Sequence, residues 1–194
     1  YYHGEASGQE SPSAVEEVLP EAANAIQPEK CAPEAGHLVF AENQKGVSFE
    51  SILGRYLQGA KKIMLTDPYI RMFYQIRNLI EFMELVVRIK PEDDETEVHL
   101  VTVKDEFKGG SQEESFEKIK TACGAAGVQF SWEYCENTAI HARHIVTDSG
   151  WKILLDRGLD IFQHYEMNDA FALNNRLQQF RSCKAFEITY IREK

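Results

Sequence analysis

The stretch HARHIVTD combines an imidazole, a guanidinium and a carboxylate in eight residues, through His141, Arg143 and Asp148. On a β-strand, alternate side chains point to opposite faces, so His141, Arg143 and Ile145 share one face and His144 lies on the other. Arginine is always charged and can hold a phosphate group through two parallel hydrogen bonds. The stretch is therefore a candidate catalytic constellation, and a polar strand that leads into a hairpin is the alternative interpretation.

The spacing H-x-R-x4-D resembles the H-x-K-x4-D motif of the phospholipase D superfamily. In that superfamily one histidine attacks phosphorus, a second protonates the leaving oxygen, the lysine neutralises phosphate oxygens, and the aspartate orients a histidine. The resemblance implies that His141 is the nucleophile or the acid, Arg143 the phosphate cation and Asp148 the supporting carboxylate. Arginine in place of lysine changes the shape of the phosphate cradle, which favours binding over catalysis. The chemistry needs two motifs, so the missing half would come from a second chain across a two-fold axis.

A wider resemblance surrounds this motif. The segments HARHIVTDSGWKILLDRGLDIF, KKIMLTDPYIRMFYQIRNLIEFMELV and VHLVT are similar to the C-terminal phospholipase D-like domain of the MIT domain-containing protein family, over most of residues 48–192. This family, which also has bacterial members, implies a one-motif homodimer; its eukaryotic members serve recruitment and membrane association rather than phospholipid hydrolysis. The stretch HLVFAENQKGVSF further resembles the C-terminal region of bacterial Lon-related ATPase proteins, which fits a C-terminal domain with an N-terminal remainder.

The spacing of apolar residues predicts an α/β fold, a phospholipase D-like mixed sheet flanked by helices in a single domain. The alternation of strands and helices predicts parallel neighbours with right-handed crossovers. HARHIVTD and WKILLD, separated by Ser149 and Gly150, predict an antiparallel hairpin with a two-residue loop. The predicted order is helix 51–60, strand 61–67, helix 69–89, strand 95–103, helix 113–127, strand 128–134, the hairpin, helix 168–181 and strand 184–192.

The N-terminal part of the chain has a different composition. Residues 1–36 carry a formal charge of −6 out of −10 for the 194 residues, and they hold four of the six prolines. This composition predicts a linker or disordered tail, with the phospholipase D-like domain in residues 37–194. The near-balanced charge of that domain gives no global attraction to nucleic acid or anionic membranes. The cysteine spacing and the lack of a long apolar run favour a reduced, cytoplasmic setting.

Two further groups of polar residues are candidates for a site. Gly158 permits a tight turn that sets Arg157 beside the phosphate pocket, and an ion pair within the loop is the alternative. Asp67, Tyr69 and Arg71 follow a parallel strand, where α/β sheets usually bind ligands. Because Asp67 and Pro68 are typical of a helix start, we interpret Asp67 as the cap of the long helix rather than as a ligand-binding residue.

The sequence predicts no metal and no cofactor. His141 and His144 point to opposite faces of a strand, so they do not form a zinc site. The apolar residues around the start and middle of the long helix are expected to fill the core rather than to line a cofactor site. These residues are Met72, Phe73, Phe82 and Met83.

Three functions are compatible with these features. The first is a dimeric binding and recruitment module that holds a phosphate-bearing ligand, a lipid head group or a nucleic acid backbone, through His141, Arg143 and Arg157. The second is a metal-independent phosphodiesterase, nuclease-like, that uses His141 of two chains across a dimer axis. The third is a purely structural dimerisation domain. Arg143 favours the first, whereas His141 and Asp148 keep catalysis open.

Overall fold

The computed structural model describes residues 32–136 and 142–193 of the chain. Within them, strands and helices alternate as the sequence predicts, and the fold class is confirmed as α/β with a mixed sheet. In chain order the elements are β1 (Gly36–Phe40), α1 (Phe49–Leu57), β2 (Lys62–Thr66), α2 (Phe73–Ile89), β3 (Thr96–Val103), α3 (Gly109–Gly124), β4 (Val128–Cys135), β5 (His144–Thr147), β6 (Trp151–Leu155), α4 (Leu173–Arg176), a 3-10 turn (Gln178–Phe180) and β7 (Phe186–Arg192).

Seven strands form one sheet in the order β1-β7-β6-β5-β2-β3-β4. The parallel half is β2, β3 and β4, and every other neighbouring pair is antiparallel. Right-handed crossovers from β2 to β3 and from β3 to β4 place α2 and α3 on the same face of the sheet, and α1 packs beside α2 there. The carboxyl ends of β2 and β3 therefore meet the start of β5 and the end of β6 at one edge.

The two faces of the sheet differ in burial. Ile63, Leu65 and Ile145 point toward the helices and are fully buried, because they pack in the main apolar core. Residues of the opposite parity, such as Lys62 and Met64, are exposed. We call this second surface the open face, because in residues 32–136 and 142–193 the helices pack only on the other side. Its side chains come from all seven strands.

The start of the long helix differs from the prediction. The helix was expected to begin near Tyr69 with Asp67 as its cap, but α2 begins at Phe73. The first free N–H groups are taken by the side chain of Gln75, whose Oε1 accepts from the amides of Arg71 and Met72. Asp67 instead accepts from the amide of Tyr69 and from a distant loop, so the prediction of a helix cap was wrong.

The predicted helix over 168–181 was also wrong, since only α4 and the 3-10 turn form there. Asn175 Nδ2 donates to the carbonyls of Met167 and Asp169, which competes with helical hydrogen bonding. The buried guanidinium of Arg181 forms an ion pair with Glu81 and also donates to carbonyls of this segment. Tertiary contacts with α2 thus replace the regular helix.

The hairpin of β5 and β6 is antiparallel, as predicted. Its loop has three residues rather than two, because β5 ends at Thr147 and β6 begins at Trp151. The amide of Gly150 donates to the carbonyl of Thr147 at 3.1 Å, and Gly150 has a φ of +86°. Glycine adopts this left-handed conformation without steric cost, which explains its place in the turn.

Candidate functional site at the edge of the sheet

Arg143 and Asp67 come together at the edge where β2 ends and β5 begins. In the antiparallel pairing of these strands, Thr66 lies opposite His144, so the next residue of β2 and the preceding residue of β5 are neighbours. The amide of Leu155 donates to the carbonyl of Arg143 at 3.0 Å, which continues the ladder of β5 and β6 by one residue. Arg143 therefore keeps the parity of Ile145 and faces the helix-bearing side.

The guanidinium of Arg143 has hydrogen-bonding capacity that the fold does not use. Its carbon lies 4.2 Å from the centroid of the Tyr69 ring, and Nη1 donates to the carbonyl of Asp156 at 2.6 Å. Nε is buried and has no hydrogen-bond partner within residues 32–136 and 142–193. Among the same residues, Arg143 has no carboxylate partner within 4.0 Å. Arg143 is thus a cation held by an aromatic ring and a carbonyl.

Asp67 is a buried carboxylate beside this cation. Its Oδ1 accepts from the amide of Tyr69 at 3.0 Å, and Oδ2 accepts from the amide of Leu159 at 3.2 Å. Burial raises the pKa of Asp67 above its usual value; the two amides and the charge of Arg143 oppose this effect, and Asp160 adds to it. Asp67 therefore joins β2 to the RGLD loop and places a partly compensated negative charge near Arg143.

Gly158 is required by this arrangement. It has a φ of +60°, and a Cβ atom added there would overlap Oδ2 of Asp67 and lie 3.1 Å from Cδ of Arg143. The backbone of the RGLD loop thus approaches both side chains as closely as a residue without a side chain allows. This is the structural reason for glycine in that loop.

Asp148 lies at the other end of β5 from Arg143. Its Oδ1 accepts from the amide of Lys61 at 3.0 Å, and its amide donates to the carbonyl of Lys62 at 3.0 Å. Arg143 and Asp148 flank the four residues of β5, which separates them by about 17 Å along the strand. The exposed carboxylate of Asp148 therefore accepts a hydrogen bond from the residue just before β2 and does not approach Arg143.

The remaining predicted site residues have different positions. His141 lies outside the described residues. Arg157 is exposed, and its Nε donates to the carbonyl of Ala185 at 2.6 Å, just before β7. Asp160 pairs at 2.7 Å with Lys184, which lies outside the loop, and Arg157 forms no ion pair within the described residues, so the alternative of an ion pair within the loop was wrong. Arg157 is thus near the same edge, but its position is set by β7.

Large apolar side chains are exposed in the segments that follow β2 and β3 and in the segment before α4. Phe73 is 70% exposed at the start of α2, Phe107 is 94% exposed before α3, and Phe171 is 97% exposed before α4. Gln112 donates to the carbonyls of Ile70 and Val103, which holds the segment before α2 beside the end of β3. We call Phe73, Phe107 and Phe171, together with Tyr69, Met72 and Tyr74, the aromatic rim.

The expected core around α2 was correct only in part. Phe82 and Met83 are fully buried, as predicted, whereas Met72 and Phe73 are exposed. The reason is the later start of α2, which places Met72 at the N-cap and Phe73 at the first position of the helix.

Comparison with known protein families matches this chain over most of its length. The family described as the phospholipase D-like domain at the C-terminus of MIT covers residues 46–192. The chain belongs to this family. The resemblance seen in the sequence is therefore confirmed, and the phospholipase D-like fold includes every element from α1 to β7.

One relative of this phospholipase D-like domain is MIT domain-containing protein 1 of Mus musculus. It is 37% identical over 124 residues, which are 63% of this chain and 48% of the mouse protein. The chain thus spans about half the length of the curated relative it matches. The similarity of HLVFAENQKGVSF to Lon-related ATPase proteins stays a prediction.

The described part of the domain has neither a metal-binding cluster nor a membrane-spanning helix. No group of three or more His, Cys, Asp or Glu side chains there is arranged to hold a metal ion. No helix in residues 32–136 and 142–193 combines the length and the apolar character needed to cross a membrane.

In this phospholipase D-like domain, the sequence analysis assigned Asp67 to a helix cap and did not identify the aromatic rim. The position of Asp67 at the carboxyl end of a parallel strand was a usable signal, but Pro68 favoured the cap interpretation. The rim had no signal, because Phe73 and Phe171 fit an apolar helical stripe as well as they fit an exposed surface.

Proposed function

We propose that this domain is a recruitment module that binds a phosphate-bearing lipid head group at a membrane surface, with Arg143 as the phosphate cation. The observation that carries the proposal is the free hydrogen-bonding capacity of Arg143, which contacts Tyr69 in the segment that leads to the exposed Phe73 and Tyr74. The resemblance to a family that serves membrane association in its eukaryotic members supports the same choice.

Arg143 is suited to hold a phosphate group. A guanidinium has five N–H donors, and within the described residues only Nη1 has a hydrogen-bond acceptor. Tyr69 restricts the plane of the guanidinium by stacking, so less side-chain entropy is lost when an anion binds. Charge-assisted hydrogen bonds to phosphate contribute about 1.5–3 kcal/mol each.

The aromatic rim favours a lipid over a free phosphate ester. Aromatic side chains prefer the boundary between lipid head groups and acyl chains, and insertion adds about 25 cal/mol per Å² of apolar area removed from water. Phe107 and Phe171 are almost fully exposed, so their insertion into a bilayer would break few contacts with the rest of the protein. A head group bound by Arg143 would bring these side chains into the bilayer surface.

Binding is favoured over catalysis by the position of Asp148. A histidine nucleophile needs a group that fixes its tautomer, and the Asp148 carboxylate is bound to the amide of Lys61 at the far end of β5. The alternative function is a metal-independent phosphodiesterase that brings together His141 of two chains. The homodimer implied by the family resemblance is part of both proposals.

Vesicle co-sedimentation tests the lipid proposal. Phosphatidylcholine vesicles with and without phosphatidylinositol phosphates are compared for the wild type, Arg143→Ala and Arg88→Ala. Arg88 pairs with Glu50 at the opposite end of α2, so its variant is the matched control. We expect Arg143→Ala to weaken binding to phosphorylated lipid about 10- to 100-fold, which corresponds to one charge-assisted hydrogen bond or slightly more. Equal binding by the two variants would contradict the role of Arg143.

The rim and the alternative function are tested separately. Phe107→Ser combined with Phe171→Ser is expected to weaken vesicle binding while leaving the affinity for soluble inositol phosphate unchanged. Single-stranded DNA and a generic phosphodiester are incubated with the chain in EDTA. Turnover by the wild type that is lost in His141→Ala would favour the phosphodiesterase over the recruitment module. No turnover together with retained lipid binding would support the recruitment module.

A further inference from the structure

Strand β4 forms one edge of the sheet, and its outer side is unpaired in the part of the chain that the structure describes. Its eight residues, Val128–Cys135, pair in parallel with β3 in an unbroken register. Within residues 32–136 and 142–193, the backbone of β4 has no other backbone partner. The backbone groups of a strand point alternately to its two sides, so about four residues of β4 present free N–H and C=O groups outward.

This edge lacks the features that usually prevent an edge strand from pairing with another chain. Such features are a short strand, lysine or proline within it, or a bulge. β4 is eight residues long, its pairing is continuous, it has no lysine or proline, and Glu133 is its only charged residue. The other edge strand, β1, has five residues, of which four are exposed, so it offers an added strand little to pack on.

The helix-bearing side of β4 carries an aromatic surface beside the free backbone groups. Trp132 and Tyr134 are only half-buried, although Trp132 packs on Phe116 of α3 with a centroid distance of 5.4 Å. The ammonium groups of Lys120 and Lys104 lie 5.8 and 5.6 Å from the centroids of these two rings. The hydroxyl of Tyr134 is buried and has no hydrogen-bond partner among the described residues. Side chains of an added strand would pack on these rings, since facing residues of neighbouring strands lie about 5 Å apart.

The open face of β4 is polar. Gln129, Ser131 and Glu133 are exposed there, and Ser131 Oγ lies 2.8 Å from Nδ1 of His99 on β3. The side chain of Glu133 is 63% exposed and lies 3.8 Å from Nε2 of the same histidine. Opposite charges at facing positions of neighbouring strands stabilise their pairing. An added strand is therefore favoured when it places a basic residue opposite Glu133.

We propose that the outer edge of β4 binds an extended peptide of a partner protein, which adds a strand to the sheet. The free backbone groups select an extended chain, because a helix satisfies its own backbone groups. The aromatic side of β4 selects β-branched or aromatic residues at alternate positions of the peptide, and Glu133 selects basic residues between them. This inference goes beyond lipid binding and does not depend on the role of Arg143.

Amide hydrogen exchange of the full chain tests the edge with a synthetic probe. The probe is an acetylated peptide, as long as β4, in which valine and lysine alternate. At a peptide concentration about ten times its Kd, we expect exchange at alternate residues of β4 to slow about tenfold, while the amides of β1 keep their rates. Unchanged exchange in β4 at millimolar peptide, or equal protection of β1, overturns the proposal. Protection of β4 that rises with protein concentration without peptide would assign the edge to a second copy and also overturn it.

N-methylation of the probe separates strand addition from contact between side chains alone. A form of the peptide that is N-methylated at every residue keeps all side chains and has no N–H donors. Because several backbone hydrogen bonds are lost, we expect its affinity to fall at least about tenfold. An unchanged affinity would show that no strand is added and would overturn the proposal.

Reversal of one charge tests the chemistry of the partner. Glu133→Lys is expected to weaken binding of the valine–lysine peptide about two- to tenfold and to strengthen binding of a valine–glutamate peptide of the same length. Glu187→Lys makes the same change on the open face of β7, next to the other edge strand, and is the matched control. Far-ultraviolet circular dichroism shows whether each variant is folded. Equal effects of the two variants on both peptides would overturn the proposed partner chemistry.

Discussion

The two ends of β5 differ in how completely the fold satisfies their polar groups. At the Asp148 end, the carboxylate and the amide are bound to the backbone of Lys61 and Lys62. At the Arg143 end, Nε has no partner in the part of the chain that the structure describes, and the pKa of the neighbouring Asp67 is raised by burial. Folding thus satisfies the polar groups at one end of β5 and leaves hydrogen-bonding capacity at the other. A short motif in the sequence is therefore divided into a structural half and a half that we propose binds phosphate.

The largest expected effect comes from adding a side chain at Gly158, beside Arg143 and Asp67. Gly158→Ala places a methyl group against Asp67 and Arg143 in a left-handed conformation, and we expect it to destabilise the domain by about 2–4 kcal/mol. Urea unfolding measures the change. Gly110→Ala is the control, because a Cβ atom there meets nothing within 4 Å. A Gly158→Ala variant as stable as the control would show that the loop moves aside easily.

The next effect concerns the buried carboxylate. Asp67→Asn removes the oxygen that accepts from the amide of Leu159, and we expect it to lower the free energy of unfolding by about 1–3 kcal/mol. Because the pKa of Asp67 is raised in the folded state, its contribution to stability is full below the unfolded value of 3.8 and falls as pH rises through the folded value. The stability of the wild type relative to Asp67→Asn should therefore decrease from pH 4 to pH 7, as urea titrations at each pH measure.

Asp105→Asn serves as the opposite control for this pH dependence. Asp105 is exposed, and backbone hydrogen bonds from Lys108 and Phe107 lower its pKa. Its contribution is present above the unfolded value and is lost as pH falls. The difference in unfolding free energy between the wild type and each variant should change with pH in opposite directions for Asp67→Asn and Asp105→Asn. Changes in the same direction would contradict the raised pKa of Asp67.

The smallest effect is expected at the Asp148 end of β5, where the polar groups already have hydrogen-bond partners. Asp148→Ala removes one hydrogen bond to the amide of Lys61 at an exposed position, which costs about 0.5–1.5 kcal/mol in chemical unfolding. Vesicle binding should not change, since the carboxylate does not approach Arg143. A loss of binding as large as that of Arg143→Ala would mean that the two ends act together, as a catalytic motif requires.

Much of the fold could be predicted because its signals are local. The strands around Ile63, Val98 and Phe130 have apolar residues at the spacing of buried strands, and their alternation with helices implies the parallel order that the structure has. The predictions failed in two segments where side-chain hydrogen bonds compete with regular structure. Gln75 accepts from the amides of Arg71 and Met72 just before α2. Arg181 pairs with Glu81 of α2, and Asn175 donates to the carbonyl of Met167, in place of a regular helix.

The residue types of the proposed phosphate site, the α/β class and the family are determined by the sequence itself, since motif spacing and apolar periodicity are properties of neighbouring residues. Only the tertiary structure decided which polar groups keep free capacity. Asp148 is occupied by Lys61, Arg143 is held by Tyr69 and by the carbonyl of Asp156, and Asp67 meets Leu159. These partners lie between 13 and 92 residues away, so no local pattern encodes them; they depend on which strands become neighbours.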